Sequence, residues 1–302
     1  MTATRQKLLL TGSEGMLGRY LRKTFPDYDI TGLNRRPGIG GLSCDLSTDV
    51  PVINLRYDLV IHAAGTTDPS LAMKLNLEGT RRLIKALSPT PPSRFIFISD
   101  AAVYGLSGAE DISEESNTWA TEKVGQSKYL AEQELAKWAR ENDVKLTVLR
   151  PAWMFGAGIS GETARLFDDV LRGKYIHIRG NNARRGIVTA YDVARVARSL
   201  DGHPGIFNVA DGRNRPFIDI VNAMSSNAGR HNRMTYLPAK WASLAARIFP
   251  SLRRVLDPDI LRQRATTITY NSDKAKLATG LQFFDTVEVI ARRDKEFPYL
   301  DF

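Results

Sequence analysis

The 302-residue chain holds one cysteine, Cys44. An intramolecular disulfide is therefore excluded, and a reducing compartment fits. No apolar run approaches the ~20 residues a membrane-spanning helix needs. Met1 to Leu10 lacks the apolar length and cleavage site of a signal peptide. A cytoplasmic location is the expectation. Helix-turn-helix patterns, zinc spacings and aromatic-basic stacking segments are missing, so the net charge of +9 has no nucleic-acid motif to serve. The basic residues are scattered, with pairs at Arg35-Arg36, Arg184-Arg185, Arg253-Arg254 and Arg292-Arg293. Solvation and a phosphate-bearing small molecule account for them better than nucleic acid. There is no internal repeat and no low-complexity linker.

What the sequence does have begins at Thr11-Gly12-Ser13-Glu14-Gly15-Met16-Leu17-Gly18. The apolar run Lys7 to Leu10 precedes it, and helical spacing of Met16, Leu17, Tyr20, Leu21 and Phe25 follows, stopped by Pro26. Strand, glycine turn and helix in that order form a dinucleotide cradle. Three glycines permit a tight turn and close approach of a pyrophosphate, and the free N–H groups of the helix start hold its oxygens. Further strands are expected at 28–33, 58–65, 94–99 and 145–150. Helices are expected around Asn76 to Leu87 and within Trp119 to Asn142. Strands alternating with helices predict an α/β fold, a doubly wound, mostly parallel sheet covered on both faces. Residues 1–155 read as the dinucleotide-binding domain, with later returns near 187–210. Residues 156–302 read as a smaller substrate-binding part that does not fold independently.

The end of the second strand carries Asn34, Arg35 and Arg36 in place of the acidic residue that holds the adenosine ribose of NAD. With no carboxylate to repel a 2′-phosphate and two guanidinium groups to bind one, NADP(H) is favoured over NAD(H).

Together the ordered motifs resemble an extended short-chain dehydrogenase/reductase of the nucleotide-sugar epimerase and dehydratase type. They are the glycine turn, Asp45-Leu46, His62-Ala63-Ala64-Gly65, Asn76-x-x-Gly79-Thr80, Phe97-Ile98-Ser99, Val103-Tyr104-Gly105, Leu149-Arg150-Pro151, Tyr191-Asp192-Val193-Ala194 and Ser272-Asp273-Lys274-Ala275. The resemblance implies a Rossmann sheet with a small C-terminal substrate domain. It implies a cofactor site built on Gly12, Gly15, Met16, Leu17, Gly18, Asn34, Arg35, Arg36, Asp45, Leu46, Ala63, Ala64, Gly65, Asn76, Lys128 and Pro151. It also implies a nucleotide-sugar substrate and a homodimer formed through two helices of the nucleotide domain. Catalysis in such proteins uses a Ser or Thr, a Tyr and a Lys.

Here the pattern breaks. The Tyr of Tyr-x-x-x-Lys falls on Val124, while Lys128 is kept. The Ser/Thr position falls on Asp100, with Ser99 beside it. Asp100 is a substitute acid or base if burial raises its pKa. Tyr104, on the loop after that strand, is expected to reach the pocket mouth as another acid. Lys128 retains a role on the nicotinamide ribose. Val124 also fits a packing stripe with Ser127, Ala131, Leu135 and Trp138. For substrate oxygens, Arg184 or Arg185 is preferred, then Arg179, with Arg150 read as structural. The stretch Lys240 to Leu256 is expected to form a lid or domain surface. Two readings remain: an epimerase, dehydratase or reductase with altered catalytic residues, or a catalytically inactive dinucleotide-binding sensor or scaffold.

Overall fold

The computed structural model describes residues 5–36, 41–105, 107–227, 235–248 and 255–292. Arg253, Arg254 and Arg293 therefore lie outside the described residues. So do Phe249 and Pro250 of the expected lid and the side chains of Leu244 and Arg247.

The first half alternates strand and helix: β1 (Lys7–Thr11), α1 (Met16–Thr24), β2 (Asp29–Asn34), β3 (Leu42–Ser43), β4 (Leu59–His62), α2 (Glu78–Leu87), β5 (Arg94–Ile98), β6 (Ala109–Ile112), α3 (Lys123–Glu141) and β7 (Lys145–Pro151). After β8 (Trp153–Phe155), α4 (Gly161–Leu171), β9 (Ile176–Ile178), β10 (Ile187–Thr189) and α5 (Ala190–Ser199), the chain returns as β11 (Gly205–Val209). The remainder is α6 (Phe217–Asn227), β12 (Thr235–Leu237), α7 (Ala239–Ile248), α8 (Pro258–Ala265), β13 (Ile268–Tyr270), α9 (Asp273–Thr279) and α10 (Thr286–Ala291).

Seven strands form one sheet in the order β11-β7-β5-β4-β1-β2-β3, and every pairing is parallel. The order reverses direction at β1, between β2 and β4, which is where ligands bind in open α/β sheets. Alternation of side chains along a strand divides the core into two layers. Leu8, Leu10, Ile61, Ile96 and Ile98 face one way, onto Tyr20 and Leu21 of α1 and Val193, Val196 and Ala197 of α5. Leu9, Val60, Phe95 and Phe97 face the other way, onto Leu83 and Leu87 of α2 and Ala131, Leu135 and Trp138 of α3. A sheet buried on both sides needs near-continuous apolar strands, and Leu8-Leu9-Leu10 and Phe95-Ile96-Phe97-Ile98 supply them.

A third cluster packs α4 and α6 through Leu166, Val170, Phe217, Ile220 and Val221. A fourth, smaller one gathers Ile176, Ala242, Val255 and Leu256, so the start of the expected lid, α7, packs on the β9–β12 pair. Among the described residues no helix is long and apolar enough to cross a membrane.

Candidate active site

The glycine turn follows β1 at the switch point. Gly12 has φ of +69°, and a Cβ there would stand 2.8 Å from the backbone nitrogen of Ala64. A Cβ on Gly18 would overlap the carbonyl oxygen of Gly12. Only glycine allows the turn and the helix to approach this closely. Gly15 caps α1 without any side-chain bond, which leaves the first-turn N–H groups at Met16 and Leu17 open to an anion. The cradle therefore fits the pyrophosphate of a dinucleotide.

The rim of the turn is braced by Asn34. Its amide donates to Ser13 Oγ at 2.8 Å and accepts from the Glu14 N–H at 3.3 Å. Arg35 and Arg36 follow, both exposed. Asp45 accepts the Ser47 N–H at 2.9 Å, and the Ser47 hydroxyl and N–H hold its carboxyl below the usual carboxylate range. Leu46 is buried, with its carbonyl oxygen accepting from Arg82 at 3.0 Å. Pro151 is buried at the end of β7.

Beyond β4, Ala63 and Ala64 lie against Gly12, and Gly65 lies beside Lys128 and Asn76. Ala64 N–H donates to Thr11 Oγ1 at 3.1 Å. Buried His62 joins Thr11 at 2.6 Å to Thr80 at 3.0 Å, and Thr80 donates onward to the Asn76 carbonyl. This chain of donors selects the Nε2–H tautomer. Burial, with the nearby Lys128 charge, pushes the His62 pKa down to about 3, so the ring is a neutral tie between β1, β4 and the following helix. Asn76 sits in a π turn (Met73–Leu77). Its amide accepts from Thr66 N–H at 2.8 Å and donates to Thr66 O and Ser127 Oγ, both at 3.0 Å. It fastens the loop after β4 to α3.

The start of α3 is pressed onto a short 3₁₀ turn (Ala101–Tyr104) that follows β5. A side chain at Gly125 would overlap the Ala102 carbonyl, and this close packing brings Lys128 within electrostatic reach of Asp100. Lys128 is buried, donates to Ile98 O at 2.7 Å and lies 5.0 Å from the centroid of the Phe97 ring. A Cβ on Gly65 would stand 2.9 Å from its Nζ, so Gly65 gives the ammonium room. Burial lowers the Lys128 pKa to about 8, against the opposing pull of Asp100 and Glu132. Asp100 caps the 3₁₀ turn, with one oxygen accepting the Ala102 N–H at 2.7 Å. Its second oxygen accepts no hydrogen bond among the described residues. Part of its surface stays accessible, but enough protein surrounds it that burial raises its pKa, despite the Ala102 N–H and Lys128.

The buried ammonium of Lys128 has a consequence for stability against pH. In the unfolded chain its pKa is ~10.4, so between pH 8 and 10.5 the unfolded state binds more protons and folded stability rises with pH. Below pH 8 both states are protonated and the penalty is constant. Lys128→Met should remove about 3 kcal/mol of this rise, seen as the difference between wild-type and variant urea stabilities across the window.

Three expectations are corrected. Val124 lies in none of the buried core clusters and is half-buried, so the packed stripe of α3 is Ser127, Ala131, Leu135 and Trp138, joined by Lys128 and Glu132, without Val124. Tyr104 does not reach a pocket mouth. It is buried, and its hydroxyl donates to Asn208 Oδ1 and accepts from Arg150, both at 2.8 Å. Ser99 is likewise committed, donating its hydroxyl to Glu132. Glu132 also binds Arg150 through Nε at 3.0 Å and Nη2 at 2.6 Å. Burial works against the Arg150 charge, but Glu132 outweighs it and the pKa is raised. Arg150 is therefore committed to Glu132 and Tyr104 inside the fold. Sequence reasoning missed Glu132, although a carboxylate beside Ala131 in an apolar stripe is a sequence sign of a buried pair.

On the substrate side, Arg184 is exposed and pairs with Glu110. Arg185 is half-buried. Its guanidinium donates to Gln263 O and meets no carboxylate among the described residues. Burial lowers its pKa, as for a cation short of counter-charge. Arg179 is exposed at the end of the β9–β12 pair, apart from this pairing.

Residues 8–210 match the sequence profile described as the NAD dependent epimerase/dehydratase family. The chain is 26% identical over 187 residues to N-acetyl-alpha-D-glucosaminyl-diphospho-ditrans,octacis-undecaprenol 4-epimerase of Escherichia coli O157:H7, covering 57% of this chain and 56% of that protein. It is 26% identical over 255 residues to UDP-glucose 4-epimerase of Vibrio cholerae, covering 73% and 75%. The structure of RMD from Pseudomonas aeruginosa complexed with NADPH superposes with a TM-score of 0.70 at 22% identity, covering 95% of this chain and 97% of that one. The chain thus spans little more than half the length of the first of these relatives.

Proposed function

Because the chain belongs to the NAD dependent epimerase/dehydratase family, we propose that it is a nicotinamide-dinucleotide enzyme acting on a nucleotide-linked sugar, with Asp100 rather than a helix tyrosine exchanging the substrate proton. The observation that carries this reading is the unengaged oxygen of Asp100 at the carboxyl end of β5, within electrostatic reach of Lys128. When bound, the cofactor supplies a hydride acceptor and donor at the nicotinamide ring. The protein's part is to hold and to move the proton. Lys128 has one of its three donors on Ile98 and two left for the nicotinamide ribose. Its charge opposes the upward push of burial on the Asp100 carboxyl and so favours the ionised form that accepts a hydroxyl proton. Arg185 offers its uncompensated guanidinium to a diphosphate. The nucleotide-sugar relatives support the substrate class; neighbours of this fold hold NADPH or NAD, so the phosphorylated cofactor rests on Arg35 and Arg36 alone.

The experiment is a titration of NADPH and NADH, followed by stopped-flow absorbance at 340 nm when the NADP⁺-loaded protein meets UDP-glucose or UDP-N-acetylglucosamine. Transient reduction supports the reading. Failure of both cofactors to bind, or bound cofactor with no reduction, overturns it. The second outcome would favour a non-catalytic dinucleotide sensor. In its support, Lys128 and Asn76 already serve the protein's own backbone. In the same titration, Arg35→Ala combined with Arg36→Ala should weaken NADPH at least about tenfold and leave NADH within twofold, as expected when the charge-assisted hydrogen bonds to the 2′-phosphate are removed. Equal losses for both forms would assign the arginines to general charge.

A further inference from the structure

Tyr270 is 8% exposed at the end of β13, and its place is fixed from several sides. Ile268 N–H donates to Arg184 O at 3.0 Å and Gly186 N–H donates to Ile268 O at 2.8 Å, so residues 184–186 zip onto β13. On the other edge Tyr270 is the register partner of Ile112 in β6. Gly186 lies flat against the ring, since a Cβ there would stand 2.6 Å from Tyr270 Cδ2. The Tyr104 ring is 6.1 Å away between centroids.

The two tyrosines differ at their tips. The Tyr104 hydroxyl is spent on Arg150 and Asn208. The Tyr270 hydroxyl makes no hydrogen bond to any described residue. It lies within electrostatic reach of Asp100 and Arg185. Each of those has polar capacity in hand: one oxygen of Asp100, and the guanidinium N–H groups of Arg185 that Gln263 does not take. The Tyr270 ring is buried, but its hydroxyl tip is not sealed in and stays open to water or to a ligand. Arg185 bridges to Ile268, two residues before Tyr270, and Tyr104, packed near Tyr270, lies on the turn that Asp100 caps, so three unspent polar groups share one side of the fold and form a site for a polar ligand atom.

We propose that Tyr270 is a catalytic residue whose O–H donates to the substrate oxygen that exchanges its proton with Asp100, supplying the phenol hydrogen bond that Val124 cannot make. The inference rests on the reaction read above. In the oxidising direction the substrate O–H proton passes to the Asp100 carboxylate and the C–H hydride leaves to the nicotinamide. A C=O forms, and its oxygen keeps the Tyr270 hydrogen bond. The reducing direction reverses each transfer. Tyr270 gives up no proton in either. Burial, reinforced by Asp100, raises the phenol pKa, which suits a permanent donor and not a base.

The test is Tyr270→Phe, which removes the hydroxyl and keeps the ring in its packing. Wild-type and variant proteins, loaded with NADP⁺, are mixed with UDP-glucose or UDP-N-acetylglucosamine in the stopped-flow assay. The rate of reduction should fall about 100-fold in the variant, as expected for removal of one oxyanion donor, with substrate half-saturation and thermal midpoint little changed. A variant rate within threefold of a live wild type overturns the role of Tyr270 and leaves the proposed function standing. A wild type with no reduction overturns both. Independently of turnover, protein carrying [¹³Cζ]tyrosine should show one resonance, assigned by its disappearance in Tyr270→Phe, that moves on addition of the UDP-sugar. A stationary resonance while the sugar binds overturns the hydrogen bond.

Discussion

Glu132→Ala should cost the fold about 3–5 kcal/mol, because it strips the carboxylate from buried Arg150 and leaves a guanidinium without its counter-charge. The two side chains are 3% and 4% exposed, so water cannot replace the missing partner. The damage spreads along one network. Ser99 is left without its acceptor, and Arg150 is left with Tyr104, whose hydroxyl is tied to Asn208 and through it to Ile112 O. That network ties β7 and β11 to the end of β5, which leads into Asp100, and to α3, which carries Lys128. Urea unfolding checks the cost. The double variant Glu132→Leu with Arg150→Met should cost less than Glu132→Ala alone, because it removes the buried charge instead of orphaning it. Equal or additive costs would show that the pair contributes packing and not charge compensation.

Asp100→Asn should lower turnover by about 10²–10⁴-fold, the usual reach of a positioned acid or base. The substitution keeps an oxygen for the Ala102 N–H, so the 3₁₀ turn and the start of α3 should stay in place and cofactor affinity should hold. The pH profile adds a second check. A base must be ionised, and burial raises the Asp100 pKa. Wild-type kcat/KM should therefore fall as pH drops through a limb above the ordinary carboxylate range. The residual activity of the variant should lack that limb. A variant keeping half the wild-type rate would remove Asp100 from the chemistry and leave it as a cap.

The nucleotide half of the fold was legible because its signals are local. Glycines 12 and 18 announce a turn that no side chain can enter, and runs such as Leu8-Leu9-Leu10 mark strands buried on both faces. The short strands β6, β8, β9, β12 and β13 were not legible. They are two to four residues long in their pairings, and each is stabilised by a partner far away in the chain, as β13 is by β6.

The site divides in the same way. Sequence alone determined that Lys128 has Val124 and not a tyrosine four residues before it, that Asp100 follows Ser99 after the strand at 94–99, and that no acidic residue ends β2. These facts depend only on residue identity and spacing. Tertiary structure alone decided where the polar groups point. It turned Ser99 and Tyr104 inward onto Glu132 and Arg150, left Val124 out of the packed stripe, and brought Tyr270 from the far end of the chain toward Asp100 and Arg185. The reason is physical: a buried polar atom takes its partner from whatever the fold brings within hydrogen-bond distance, and that partner can be anywhere in the sequence.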